Sequence, residues 1–119
     1  MNSPVCVDAS FVIKLGIPEE GSDRAEASWR EWHRQGKEIT APPLLGYEIT
    51  SVLCHAIYRG RTTPEEGLQV LEHLLRLPIR FLAPERLHIT ACEMAIGLGQ
   101  PAAYDAHYLA LAQNLGCEF

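Results

Sequence analysis

Three carboxylates in this sequence interrupt segments that are otherwise apolar. Asp8 follows the run "VCV", Glu48 lies within "LLGYEITSVL", and Asp105 lies within "AAYDAHYLAL". An ionised carboxylate is costly to bury unless a cation or several hydrogen-bond donors satisfy it. We therefore expect these acids at the rim of the core, where water or a metal ion can reach them.

Each of the three acids also has a purely structural explanation. Asp8 and Asp105 could stabilise the N-termini of helices, and Glu48 could extend to solvent. Three acids at apolar borders in separate elements favour a shared site, because converging carboxylates repel one another unless a cation offsets their charge. An oxygen-only site suits Mg²⁺ or Mn²⁺. Such ions activate water and stabilise charge on phosphate, so the sequence predicts phosphodiester hydrolysis.

The composition is that of a single globular domain covering residues 1–119. Hydrophobic residues make up 47% of the chain, and no apolar run approaches the ~20 residues needed to span a bilayer. No secretory signal is visible at the N-terminus. The four cysteines are widely spaced and form no CxxC pair, which favours reduced thiols. We therefore expect a cytoplasmic protein that makes no contact with membranes.

The net charge limits how this chain could handle nucleic acid. It is −5 at neutral pH, whereas nucleic-acid-binding domains usually carry a basic patch. A bound divalent cation or a basic partner protein would have to bring phosphate close. The predicted metal site supplies that positive charge.

Strand-like and helical segments alternate along the chain. We expect strands at residues 5–8, in "EITAPP", in "PIRFLAP" and beginning at "CEF", and helices in the segments 10–15, 22–35, 44–59, 64–76, 85–98 and 102–115. This order predicts an α/β fold in three layers, with a central parallel sheet between helices. Ligands bind beyond the carboxyl ends of the strands in such sheets, and Asp8 is expected at the carboxyl end of the first strand.

Two helix starts can be predicted from the residue types. Thr63 precedes Pro64 and lies three residues before Glu66, a capping box with proline at the first helical position. Ser10 is the expected N-cap of the first, short helix.

The ordered segments "VCVDASFVIKL", "APPLLGYEITSVLCHAI" and "AAYDAHYLALAQNLGCEF" resemble a PIN domain over essentially the whole chain. The sequence is most similar to the VapC-like toxins of toxin–antitoxin pairs. The resemblance implies an endoribonuclease that depends on Mg²⁺ or Mn²⁺, with Asp8, Glu48 and Asp105 as metal-binding and catalytic residues. Ser10 matches a small hydroxyl residue that supports the first acid. RNA is the implied substrate, and a cognate antitoxin and a second copy of the chain are the implied partners.

The sequence departs from the family pattern at its end. In the family a further acid follows the last strand, usually in a Thr-x-Asp context, and this sequence stops at Phe119. Glu118 does not match that position. We therefore expect a C-terminal strand that is cut short together with its acidic motif. An alternative function follows: a catalytically impaired PIN-like module that binds a partner or dimerises. A nuclease of the same chemistry acting on DNA is a third reading.

The remaining residues that could do chemistry have simpler explanations. The five histidines show no HxxxH or HExxH spacing and are expected at surfaces or interfaces. Trp29 and Trp32 are expected to pack in the core or at a dimer contact. Arg59 and Arg61 end the third helix, where the helix dipole favours positive charge.

Overall fold

A computed structural model describes residues 3–117. Within these residues, three short parallel strands form a sheet. The strands are β1 (Pro4–Cys6), β2 (Glu38–Ala41) and β3 (Arg80–Phe81), in the order β1-β2-β3. Val5 pairs with Ile39, and Thr40 pairs with Arg80. The amide of Val7 donates to the carbonyl oxygen of Thr40 over 3.0 Å, which holds the chain against β2 just before Asp8.

Six helices connect and follow the strands. They are α1 (Ala9–Ile13), α2 (Ser22–Arg34), α3 (Leu44–Tyr58), α4 (Pro64–Leu75), α5 (Leu87–Gly97) and α6 (Tyr104–Leu115). Pro42 and Pro43 separate β2 from α3, because proline cannot donate to a continuing strand but is tolerated at a helix start. The predicted α/β class and parallel strands are confirmed.

Two apolar clusters form the core, and β1 contributes to both. Val5 and Val7 belong to one cluster, with residues of α1, β2, α3 and α4, whereas Cys6 belongs to the other, with residues of α5 and α6. Successive side chains of a strand point to opposite faces, so β1 is covered on both sides. Leu45, a member of the first cluster, is fully buried. Burial of such a side chain stabilises the fold by about 1.5–3 kcal/mol.

The helical periodicity located the buried faces only in part. On α3, Leu45, Ile49 and Leu53 are buried, but Val52, at the same helical spacing, is exposed. On α6, Tyr108 is buried, whereas Tyr104 is 63% exposed. Tyr104 is the first residue of its helix. Its exposure depends on which other elements lie against that side of the first turn, which periodicity alone does not reveal.

The two predicted helix starts had different outcomes. Thr63 is the N-cap of α4 and accepts a 3.1 Å hydrogen bond from the amide of Glu66, with Pro64 at the first helical position, as predicted. The prediction for Ser10 is wrong, because β1 ends at Cys6 and the N-cap of α1 is Asp8. The chain leaves the sheet two residues earlier than predicted, and Asp8 therefore occupies the capping position.

The aromatic residues of α2 contact the core. Trp29 and Trp32 are partly buried against the first cluster, and the rings of Trp32 and Phe11 lie 5.2 Å apart. The core interpretation of the two tryptophans is confirmed. The strand predicted at "CEF" falls mostly on residues 118–119, outside the described residues, and Cys117 itself is in no strand. In the described part of the chain, no helix has the length and apolar character to cross a bilayer.

Candidate active site

Asp8 is held at the start of α1 by two hydrogen bonds to the same oxygen. Its Oδ1 accepts from the amide of Phe11 over 3.0 Å and from the hydroxyl of Ser10 over 2.8 Å. The backbone at Asp8 is extended, with φ −112° and ψ 177°, as an N-cap requires. The side chain is half-buried. Oδ1 is thus committed to the helix, and Oδ2 is the oxygen through which Asp8 could bind a cation or water.

Glu48 lies on α3, between buried Leu45 and Ile49 in the sequence. Its Oε1 accepts a hydrogen bond from the hydroxyl of Tyr108, sixty residues further along the chain. An ionised carboxylate can only accept, so the phenol is the donor. The contact joins α3 to α6.

Asp105 is the second residue of α6 and is exposed. It lies one turn before Tyr108 on the same helix, and α6 packs against β1, the strand that leads to Asp8. A negative charge in the first turn of a helix is favourable because of the helix dipole. The side chain is free to turn toward a ligand at this end of the molecule without disturbing the core.

The pKa of the Tyr108 hydroxyl is affected by all three acids. Burial is the largest cause that raises the pKa of Tyr108 well above its usual range, followed by the hydrogen bond to Glu48. The negative charges of Glu48, Asp8 and Asp105 raise this pKa further. All three carboxylates predicted from the sequence therefore lie within electrostatic reach of one hydroxyl, and only Glu48 is hydrogen-bonded to it.

The donor chemistry of the three acids fits a hard cation, but the acids do not close into a ready cage. Within residues 3–117, no three His, Cys, Asp or Glu side chains are placed to hold a metal ion between them. Carboxylate oxygens are the ligands that Mg²⁺ and Mn²⁺ prefer, and Mg²⁺ commonly keeps several waters while one or two carboxylates bind it directly. The residues present therefore fit an ion held partly through water.

A cavity of about 520 Å³ opens beside Asp8. Besides Asp8 it is lined by Val5, Cys6, Val7, Phe11, Ser28 and Trp32. Glu48 and Asp105 do not belong to its lining. The cavity therefore adjoins the group of acids on one side and does not enclose it.

His107, two residues after Asp105, is engaged elsewhere. Its Nδ1 lies 2.6 Å from the carbonyl oxygen of Ala103, and its Nε2 lies 2.8 Å from Nδ1 of His88 on α5. Since a carbonyl oxygen only accepts, Nδ1 of His107 carries a proton. The contact with His88 joins α6 to α5.

Comparison with known proteins places the chain in a family. It is 30% identical to ribonuclease VapC3 of Pyrobaculum aerophilum over 111 residues, which are 92% of this chain and 82% of the relative. The chain belongs to the VapC ribonuclease family. No family model matches the sequence. The resemblance to VapC proteins is therefore confirmed. The assignment to PIN-domain toxins stays a prediction, as do the roles of Asp8, Glu48, Asp105 and Ser10.

Sequence reasoning missed Tyr108 as a polar residue of the site. Its position in the apolar stripe of α6 indicated core packing, and the ring is indeed only 2% exposed. The available signal was its spacing from Asp105: residues three apart on a helix are neighbours. A tyrosine buried at such a position needs a partner for its hydroxyl, but the sequence does not indicate which residue supplies it.

Proposed function

We propose that this chain is a VapC toxin: an endoribonuclease with a PIN-like, three-layer α/β/α fold that hydrolyses RNA phosphodiester bonds with Mg²⁺ or Mn²⁺. The observation that carries the proposal is the hydrogen bond from Tyr108 on α6 to Glu48 on α3, with Asp105 one turn before Tyr108 on the same helix. Helix α6 packs against β1, the strand that leads to Asp8. The family relationship supports it, since the relative is named a ribonuclease.

The side chains of the three acids differ in how firmly hydrogen bonds hold them, which suggests different roles. Asp8 is fixed at the start of α1 through Oδ1, so Oδ2 would provide a constant anchor for the ion. Oε1 of Glu48 already accepts a hydrogen bond, so its Oε2 would bind the ion or hold one of the ion's water molecules in place. Asp105 is exposed and adjusts to the ligand. A divalent ion bound there would lower the pKa of a water molecule and offset charge on the scissile phosphate.

The bound cation would also explain how an acidic protein approaches RNA. With a net charge of −5, the protein repels phosphate unless positive charge is supplied at the site. The same acids would attract an Arg or Lys side chain of a cognate antitoxin, whose charge would take the place of the metal charge. We propose that such an antitoxin arm silences the enzyme in the cytoplasm, and that the toxin is a homodimer.

One observation favours a second candidate function. Since no three ligating side chains of residues 3–117 are closed around a common point, a catalytically impaired module that binds a partner or dimerises would show the same fold. The two functions differ in their response to metal. An enzyme with a working site is stabilised by millimolar Mn²⁺, because binding to the native state alone raises its melting temperature.

The test is an RNA cleavage assay on the whole chain with a matched pair of variants. Asp105→Asn removes a charge from the proposed site, and Asp23→Asn removes an equivalent charge from the second position of α2, which is also exposed. We expect Mn²⁺-dependent cleavage that chelation abolishes, that Asp105→Asn lowers at least a hundredfold and that Asp23→Asn leaves unchanged.

Three results of this assay would contradict the proposal. Equal cleavage by Asp105→Asn and the parent chain would remove Asp105 from the site. No cleavage, together with no shift of the melting temperature in Mn²⁺, would favour the binding module. Faster cleavage of single-stranded DNA than of RNA of the same sequence would assign the chemistry to DNA.

A further inference from the structure

The buried hydroxyl of Tyr108 is a polar group for which the proposed chemistry has no role so far. The ring packs in the first apolar cluster, with Val5, Val7 and Val12 among its members, and is only 2% exposed. The hydroxyl reaches out of this cluster to Oε1 of Glu48. Since the ring cannot move without opening the core, its hydroxyl is a donor fixed in space.

The donor contacts only one of the two oxygens of Glu48. Oε1 is taken by the phenol, which leaves Oε2 for another ligand. A glutamate side chain has three rotatable bonds, so it can adopt many conformations unless its carboxylate is held. A hydrogen bond from a rigid neighbour removes much of that freedom before any ligand arrives.

Negative charges near Glu48 increase the effect of the hydrogen bond from Tyr108. Asp8 and Asp105 are near enough to act on the same hydroxyl, and two neighbouring negative charges would repel the carboxylate of Glu48. A fixed O–H dipole directed at Oε1 offsets part of this repulsion.

We propose that Tyr108 is a positioning residue that holds the carboxylate of Glu48 ready to bind the divalent cation. The inference rests on the proposed function, because it assigns Tyr108 a part in the same site. Tyr108 itself contacts neither the ion nor the substrate. Its effect is transmitted through Glu48, and its loss therefore weakens cation binding and turnover while RNA binding is retained.

The first experiment compares Tyr108→Phe with Tyr58→Phe. Both variants lose one hydroxyl and keep the ring, but Tyr58 lies at the end of α3 and is 90% exposed. Mn²⁺ affinity is measured by electron paramagnetic resonance, and RNA cleavage by kcat and KM. We expect Tyr108→Phe to bind Mn²⁺ roughly tenfold more weakly and to lose kcat by a similar factor, with KM for RNA unchanged. Tyr58→Phe should match the parent chain in all three.

A second experiment, in which Tyr108→Phe is combined with Glu48→Gln, shows whether Tyr108 acts through Glu48. In Glu48→Gln the carboxylate is already absent, so adding Tyr108→Phe should weaken Mn²⁺ binding no further. The same tenfold loss in that background would overturn the inference, as would an unchanged Mn²⁺ affinity in Tyr108→Phe. A parent chain that neither binds Mn²⁺ nor cleaves RNA would overturn the proposed function, whereas normal cleavage by Tyr108→Phe would overturn the inference alone.

A measurement on the unsubstituted site covers the case in which Tyr108→Phe does not fold. With 3-fluorotyrosine incorporated, the ¹⁹F resonance of residue 108 reports on its hydroxyl. We expect Mg²⁺ to shift this resonance in the parent chain and to leave it in place in Glu48→Gln. A resonance that Mg²⁺ leaves unmoved in the parent chain would contradict the inference.

Discussion

The hydroxyl of Ser10 donates a 2.8 Å hydrogen bond to Oδ1 of Asp8, the same oxygen that caps α1. One carboxylate thus has a structural and a proposed catalytic task, each assigned to a different oxygen. The division has a physical reason: the capping oxygen is fixed by donors of its own helix, and the other oxygen is then directed away from that helix. Substitutions at Asp8 can separate the two tasks.

Asp8→Asn should abolish RNA cleavage while leaving the fold intact. Asparagine caps a helix about as well as aspartate, but it has no negative charge to hold a divalent cation. Asp8→Ala should abolish cleavage and, in addition, lower the free energy of unfolding by about 1 kcal/mol. Urea denaturation of the two variants, read beside their RNA cleavage rates, checks both expectations. Cleavage by Asp8→Asn at the parental rate would remove Asp8 from the proposed site.

Gly67→Ala should destabilise the protein although alanine favours helices. A Cβ at residue 67 of α4 would lie 2.7 Å from both Cγ1 and Cδ1 of Ile57 on α3, so the two helices would have to separate. We expect a loss of about 1–3 kcal/mol in the free energy of unfolding.

Gly46→Ala is the control for this substitution. Gly46 lies within α3, and a Cβ there would meet no atom within 4 Å. We expect it to stabilise the protein by about 0.5–1 kcal/mol. Thermal unfolding of both variants tests these two expectations. Stabilisation by Gly67→Ala would show that α3 and α4 leave room for a Cβ at residue 67 beside Ile57.

The carboxyl group of Glu31 should titrate at unusually low pH. Arg34 donates to both of its oxygens, through Nε over 2.8 Å to Oε2, and these bonds are the largest cause that lowers the pKa of Glu31 from 4.5 to about 2. Because the folded-state pKa is depressed, the stabilisation by this pair is present above the unfolded pKa. It is lost as the pH falls from about 4.5 toward 2.

Carbon-detected NMR titration of the Glu31 carboxyl group measures this pKa directly. Arg34→Gln should return it toward 4.5, since both hydrogen bonds and the positive charge are removed. Arg30→Gln is a suitable control, because Arg30 lies on the same helix and pairs with Glu26. A pKa near 4.5 in the parent chain would show that the pair is open in solution.

The helices were the part of the fold that local residue types predicted best. The start of α4 follows from Thr63 and Pro64 alone, since a cap and a fixed φ are properties of neighbouring residues. Gly36 and Gly60 follow α2 and α3 with φ of 70° and 72°, in the left-handed region that glycine adopts most easily. The exposure of Tyr104 could not be predicted in this way, because it depends on which elements cover the first turn of α6.

The candidate site, too, was predictable from the sequence only in part. The sequence by itself determined that Asp8, Glu48 and Asp105 lie at the borders of apolar segments, because hydrophobic patterning depends only on residues that are neighbours in the sequence. The residue types left open whether Asp8 or Ser10 caps α1, and the structure assigns the cap to Asp8. Only the tertiary structure decided that Tyr108 reaches Glu48 across sixty residues. Such a contact depends on how α3 and α6 pack beside β1, and packing is set by the shapes of many distant side chains together.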